Sequence, residues 1–125
     1  MFNYLLVFVG GGAGSVLRLA MSSMVAQKMG TGFPWGTLTV NILGAVVIGV
    51  LAEVLALKFS MMPAMRLLLV TGFLGGFTTF SAFSLESALM FQRGDYGVLA
   101  LYVGMSVVGT IAGVLMATHA MRMVM

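Results

Sequence analysis

Residues 72–86 read GFLGGFTTFSAFSLE, with three glycines, two threonines and four phenylalanines in one short stretch of a very apolar chain. Gly-Gly followed by Thr-Thr has low helix propensity. Non-helical backbone at membrane depth is tolerated only where it is buried in protein or lines a water-filled cavity. The stretch therefore predicts a membrane helix broken within residues 75–79, whose freed carbonyls can bind a cation. A continuous helix with back-bonded threonines is the alternative.

Composition assigns the whole chain to the membrane. Of its 125 residues, 61% are hydrophobic and 7% are charged, and the mean hydropathy is +1.14. A crossing needs about 20 apolar residues, so the chain has room for about four crossings and no soluble domain. Apolar runs place helices near residues 3–27, 34–57, 63–91 and 96–121, separated by short turns at 28–32, 58–60 and 92–95. We expect an all-α membrane protein with one transmembrane domain, 1–125, and a retained first helix.

Several kinds of chemistry find little support in the sequence. The chain has no cysteine, which removes disulfides and thiolate metal sites, and its one histidine, His119, has no obvious ligand partner nearby. Lys and Arg are scattered singly, unlike the basic clusters that bind nucleic acid. No nucleophile, base and orienting group occur together. We expect no organic cofactor, no nucleic-acid partner and no enzymatic activity.

The basic residues are almost evenly divided between the two membrane faces. Lys58, Arg66 and Arg122 fall on the side of the termini, whereas Lys28 and Arg93 fall on the other side, with Arg18 inside the first helix toward it. Orientation follows the asymmetry of Lys and Arg, so a near tie predicts insertion either way round. This favours an antiparallel, dual-topology homodimer, and a small bias that fixes one orientation is the alternative.

Polar side chains inside the predicted crossings are costly in lipid and therefore informative. On the second helix, Thr37 and Asn41 lie one turn apart, and amide N–H groups suit a partly dehydrated anion or a neighbouring helix. On the fourth helix, Tyr102, Ser106 and Thr110 repeat every four residues. Such hydroxyls either form a line for an ion or bond their own backbone.

The third helix adds aromatic rings and a carboxylate. Phe80, Phe83 and Ser84 share one helix face. Ring edges carry the positive part of the aromatic quadrupole and attract an anion without trapping it, although plain packing against another helix is the competing account. Glu86 at membrane depth is a functional hypothesis, as a proton-linked group or a gate, unless it only bonds a hydroxyl of the fourth helix.

Three motifs, in this order and spacing, resemble the Fluc (CrcB) family of fluoride channels. They are GGxxGxxxR at residues 10–18, GTLxVNxxG at 36–44 and GFxGGFTTFSxFSxE at 72–86. The resemblance implies a passive, selective channel that exports cytoplasmic fluoride. It also implies an antiparallel homodimer with two pores in the inner (plasma) membrane of a bacterium. The main alternative is a small dual-topology, proton-coupled multidrug exporter, whose first-helix glutamate has no counterpart here.

The resemblance also implies roles for individual residues. The backbone carbonyls of Gly75 and Thr78 would bind a structural sodium ion at the dimer centre, and Arg18 would lie near the aqueous vestibule. The chain departs from the family at Ala82, where a hydroxyl is common, and at Val114, where the hydroxyl repeat stops. The implied fluoride pathway consists of Asn41, Phe80, Phe83, Ser81, Ser84, Glu86, Tyr102, Ser106 and Thr110.

Overall fold

The computed structural model describes residues 1–57 and 63–124, all of whose regular elements are helical. The predicted turn at 58–60, with Lys58, lies outside the described residues. The elements are α1 (Phe2–Met29), α2 (Trp35–Leu57), α3 (Pro63–Arg66), a π-helix (Leu67–Leu74), α4 (Gly75–Phe77), α5 (Phe80–Arg93) and α6 (Tyr96–Val124).

Four helical spans in the described part are long and apolar enough to cross a membrane. They are Phe2–Met29, Trp35–Leu55, Pro63–Arg93 and Tyr96–Val124, with mean hydropathies between 1.5 and 2.2. The predicted all-α architecture of four crossings is therefore confirmed, with ends that differ from the expected ones by a few residues.

The third crossing is interrupted near its middle, as predicted. Thr78 and Thr79 have extended backbones, with φ/ψ of −88°/158° and −150°/115°. The break thus occupies the last two residues of the predicted interval. The hydroxyl of Thr79 accepts the N–H of Ala82 at 3.1 Å and so caps the start of α5.

A π-helix, which was not predicted from the sequence, precedes the break. It runs over Leu67–Leu74, and the N–H of Gly75 still donates to the carbonyl of Val70, five residues back. Such wide turns are rare and occur frequently at functional sites.

The glycines of α1 allow it to pack directly on the third crossing. A Cβ added at Gly14 would meet the backbone of Phe73 and lie 2.9 Å from the Phe77 nitrogen, and one at Gly10 would lie 2.9 Å from the Phe73 nitrogen. These glycines are therefore packing positions, which is the interpretation that close backbone approach in membranes favours.

An ion pair joins α2, which packs mainly on α6, to the end of α6. The Glu53 side chain is buried and the Arg122 side chain is exposed, and Arg122 Nε donates to Glu53 Oε1 at 2.8 Å. At the opposite face, the exposed Arg93 pairs with Asp95 at 3.1 Å.

Candidate functional site

Asn41 of α2 binds the broken backbone of the third crossing from both ends of its amide. Its Nδ2 donates to the carbonyl of Thr79 at 3.1 Å, and the N–H of Thr79 donates to its Oδ1 at 2.8 Å. This is the neighbouring-helix contact that the sequence left open. Nδ2 carries a second N–H, which does not donate to Thr79.

Two backbone carbonyls at the break lose their helical donors. In an unbroken helix Gly75 would accept from the N–H of Thr79, and Thr78 from that of Ala82. Here Thr79 donates to Asn41 instead, and Ala82 donates to the Thr79 hydroxyl. The two carbonyls that lose these donors belong to Gly75 and Thr78, the predicted sodium ligands.

Arg18 binds the carbonyl of Gly76, which lies between Gly75 and Thr78 in the chain. Its Nε donates to the Gly76 carbonyl at 3.0 Å, and the side chain is partly buried. Arg18, which is predicted to lie near the vestibule, therefore connects α1 to the break. This contact spans 58 positions in the chain, so the sequence offered no local signal for it.

A cavity of about 420 Å³, the interior cavity, opens beside the break between α2, the third crossing and α6. The described residues that line it carry no charged side chain. Seven residues named from the sequence line it: Asn41, Phe80, Phe83, Ser106 and Thr110 of the predicted pathway, with Gly75 and Thr78. The structure thus brings most of the predicted pathway to one place.

The two phenylalanines form the aromatic wall of the interior cavity. Phe80 is 77% exposed, and its ring centroid lies 5.4 Å from that of Phe83. Phe83 in turn lies 5.2 Å from Tyr102 of α6. The ring of Phe80 is thus mostly exposed within the described chain, whereas Phe83 lies between two other rings.

The fourth-crossing hydroxyls differ in their availability. Thr110 donates to the Ser106 carbonyl at 2.6 Å, which is the back-bonding alternative. Within the described chain, the Ser106 hydroxyl is buried and has no hydrogen-bond partner. An unmet hydroxyl is costly in a buried position, so Ser106 is the hydroxyl that a bound ion would satisfy.

A second cavity, the mouth cavity of about 370 Å³, lies where α1, the α1–α2 connection and α5 meet. Thr37, Glu86 and Arg93 contribute its polar lining. The hydroxyl of Tyr102 donates to Glu86 Oε1 at 3.2 Å, so the hydroxyl alternative for Glu86 also has a physical basis. Phe33 and Trp35 line the same cavity, and they were not predicted because they lie where the α1–α2 connection joins α2, with no repeating pattern to mark them.

Among the described residues, three of the predicted pathway line neither cavity: Ser81, Ser84 and the buried Tyr102. Ser81 and Ser84 are exposed on α5 and line neither cavity, and Ser81 Oγ lies 3.1 Å from the Thr79 hydroxyl. Among the described side chains, no group of three His, Cys, Asp or Glu residues could hold a metal ion.

Four apolar crossings, three of which line a cavity with a buried hydroxyl and no charged side chain among its described residues, define a multi-pass membrane protein with a site for a small polar solute. The chain belongs to the CrcB family: the family model described as "CrcB-like protein, Camphor Resistance (CrcB)" matches residues 5–118. The family resemblance of the three motifs is confirmed.

Curated relatives of almost the same length bear this out. The chain is 49% identical over 121 residues to "Fluoride-specific ion channel FluC 2" of Nitrobacter hamburgensis, covering 94% of this chain and 98% of that protein. It is 48% identical over 122 residues to "Fluoride-specific ion channel FluC" of Rhizobium johnstonii, covering 98% of each. A FluC of Agrobacterium fabrum is 48% identical over 114 residues, covering 91% of each.

Proposed function

We propose that this chain is a passive, fluoride-selective channel, as the names of its relatives indicate. The observation that carries the proposal is the interior cavity, where Asn41, Phe80, Phe83 and Ser106 meet without a charged side chain among the described lining residues. A channel must bind its ion firmly enough to admit it and weakly enough to release it. A fixed Lys or Arg in the wall would bind fluoride too tightly for rapid release.

The cavity offers the donors that a small, strongly hydrated anion needs. Ser106 has a buried hydroxyl without a partner, and Asn41 has a second Nδ2 N–H beyond the one given to Thr79. The edges of Phe80 and Phe83 add a weaker electrostatic attraction. Replacement of water by several such groups favours a small anion over chloride, which is larger and less suited to a narrow passage.

The functional unit in this proposal is an antiparallel homodimer with two pathways. Phe80 is 77% exposed, and the hydroxyl-bearing Ser81 and Ser84 are exposed beside the break. Polar groups at this depth require protein or water around them rather than lipid. A second, inverted copy would cover this surface, and its two-fold symmetry would produce two equivalent pathways. The near tie of basic residues on the two faces supports both orientations.

A sodium ion at the dimer centre is part of the same proposal. The Gly75 and Thr78 carbonyls fit this role because their helical donors are turned to Asn41 and to the Thr79 hydroxyl. Two copies would supply four uncharged oxygens, a donor type that hard cations prefer. The bound cation would balance the carbonyl dipoles and hold the two breaks together.

Passive conduction implies that fluoride leaves the cytoplasm down its electrochemical gradient through the inner membrane of a bacterium. Such a role needs no catalytic group, in agreement with the channel names of the relatives. The alternative of a proton-coupled multidrug exporter is not favoured, because α1 (Phe2–Met29) contains no acidic residue.

The test is fluoride efflux from liposomes that contain the purified protein, read with a fluoride electrode and repeated with chloride. We expect fast fluoride release and negligible chloride release. Phe80→Ile and Phe83→Ile should reduce or abolish the fluoride release while the protein stays folded. Absence of fluoride release from folded wild-type protein would overturn the proposal, and normal release in both variants would remove the aromatic edges from it.

A further inference from the structure

A continuous series of ring contacts links the interior cavity to the mouth cavity. Phe80 and Phe83 line the first, and Phe33 and Trp35 line the second. Between them lies Tyr102, which is 0% exposed. Its ring centroid is 5.2 Å from that of Phe83 on one side and 5.5 Å from that of Phe33 on the other.

The buried ring of Tyr102 contacts one lining residue of each cavity, Phe83 and Phe33, and is called here the partition between them. Its hydroxyl donates to Glu86, which faces the mouth cavity. The orientation of the Tyr102 ring therefore determines whether its hydroxyl can donate to the Glu86 carboxylate.

Phe33 meets Tyr102 edge to face, with an angle of 87° between the ring planes. This geometry is favourable and directional, so it restricts the rotation of the tyrosine ring. The backbone around Phe33 is itself fixed: its carbonyl accepts the N–H of Trp35 at 2.8 Å, and the following Pro34 carbonyl accepts that of Leu38 at 3.2 Å. The ring of Phe33 therefore has a defined position on the side of Tyr102 that faces the mouth cavity.

We propose that Phe33 is a positioning residue of the ion pathway, which holds Tyr102 so that its hydroxyl stays on Glu86 and the partition between the cavities keeps its shape. The inference rests on the proposed channel function. The competing account is that Phe33 only fills space next to Leu38 and Met90, in the buried cluster that they form with Tyr102. The two accounts differ in whether the effect of Phe33 passes through the tyrosine hydroxyl.

The experiment is a double-mutant cycle on fluoride efflux from liposomes, with Phe33→Leu, Tyr102→Phe and the combination. Leucine keeps the site apolar but removes the ring. Loss of one edge-on ring contact predicts a decrease in flux of about fivefold for Phe33→Leu, and Phe33→Tyr should restore most of it. In the Tyr102→Phe background, Phe33→Leu should cause no further decrease, because the hydroxyl that it positions is absent.

Two controls separate positioning from packing. Phe91→Leu removes an exposed ring on α5 that contacts Tyr96 and lines neither cavity, and its flux should match that of the wild type. Trp35 is the single tryptophan of the chain and its ring lies 4.6 Å from that of Phe33, so its fluorescence reports whether the turn is intact in each variant. If Phe33→Leu does not fold, Phe33→Met replaces it, with the same expected loss.

Two results would overturn the inference. One is wild-type flux in folded Phe33→Leu or its replacement, and the other is an equal further decrease in the Tyr102→Phe background. A wild-type protein that releases no fluoride would instead overturn the channel function itself, so the two failures are distinguishable.

Discussion

At the scale of single residues, Asn41 has a structural task beside any contact with an ion. Its amide pairs with both the N–H and the carbonyl of Thr79. The break has lost its regular hydrogen bonds, so this pair replaces two of them with a side chain from another helix. Structural integrity of the break and, in the proposed channel, passage of the ion would therefore depend on the same amide.

Replacement of Asn41 by aspartate should damage both. A carboxylate cannot donate to the Thr79 carbonyl and adds a negative charge to the cavity wall. We expect Asn41→Asp to reduce fluoride flux and to lower stability by about 1–3 kcal/mol, the cost of an unmet buried group. Asn3→Asp, the same change at an exposed position, is the control for efflux and for thermal unfolding in detergent. Unchanged flux in Asn41→Asp would contradict a role for this residue in the pathway.

Replacement of Ser106 by alanine should lower fluoride flux without lowering stability. Its buried hydroxyl has no partner within the described chain, so Ser106→Ala removes an unmet polar group and should leave stability equal or slightly raised. If the hydroxyl binds the ion during passage, flux should nevertheless fall.

The comparison pairs thermal unfolding with efflux for Ser106→Ala and for Ser15→Ala, which lies on α1 outside both cavities. A stable Ser106→Ala with wild-type flux would mean that the hydroxyl plays no part in conduction.

At the scale of elements, the contact between α1 and the third crossing depends on glycine at particular positions only. A Cβ at Gly14 would collide with the backbone of Phe73 and Phe77, whereas one at Gly12 would meet nothing within 4 Å. The two glycines lie in the same run and differ only in the face that they occupy. They therefore form a matched pair for a test of helix packing.

Gly14→Ala should destabilise the protein by about 1–3 kcal/mol, because backbone atoms have to move to admit the methyl group. Gly12→Ala should be neutral or stabilising by up to about 1 kcal/mol, since alanine favours the helix. Thermal unfolding in detergent measures both. Equal effects of the two substitutions would show that the close approach of α1 to the π-helix and α4 is not maintained in the protein.

The elements were predictable to different degrees. Hydropathy predicted the four crossings and the Gly-Gly-Phe-Thr-Thr sequence at 75–79 predicted the break, because both depend on local composition. The π-helix over Leu67–Leu74 was not predictable, because the choice between hydrogen bonds four or five residues apart changes no pattern of side-chain polarity. It depends on how the backbone packs against Gly10 and Gly14, which lie more than one crossing away in the chain.

At the scale of the whole molecule, the motifs predicted which residues gather at the interior cavity but not how they are joined. Asn41, Phe80, Phe83, Ser106 and Thr110 line that cavity as expected. The bonds of Arg18 to Gly76 and of Asn41 to Thr79 connect separate crossings, so only the packed structure could supply them. Ser81 and Ser84 are exposed on α5, and their predicted role would require the second copy that we propose.

Orientation in the membrane should respond to single charges if the chain inserts both ways. Asn3→Lys adds a positive charge on the side of the termini, and Gln92→Lys adds one on the other side. Each change should bias insertion toward one orientation and lower fluoride efflux, since an antiparallel dimer needs both. Co-expression of the two variants should restore efflux.

Asn3→Gln and Gln92→Asn, which add no charge, control for the substitutions themselves. Full activity of either lysine variant alone would contradict the antiparallel dimer.

The π-helix also determines how this stretch of the chain tolerates insertions and deletions. A turn closed five residues apart holds one residue more than an ordinary α-helical turn. Deletion of one residue there would leave an ordinary α-helical turn, and the residues after it would keep their rotation about the helix axis. Thr79 would then still face Asn41, and Gly76 would still face Arg18. The same deletion in a regular α-helix would rotate everything after it by about 100°. A one-residue gap between homologues is therefore tolerated in this segment, because the wide turn absorbs it.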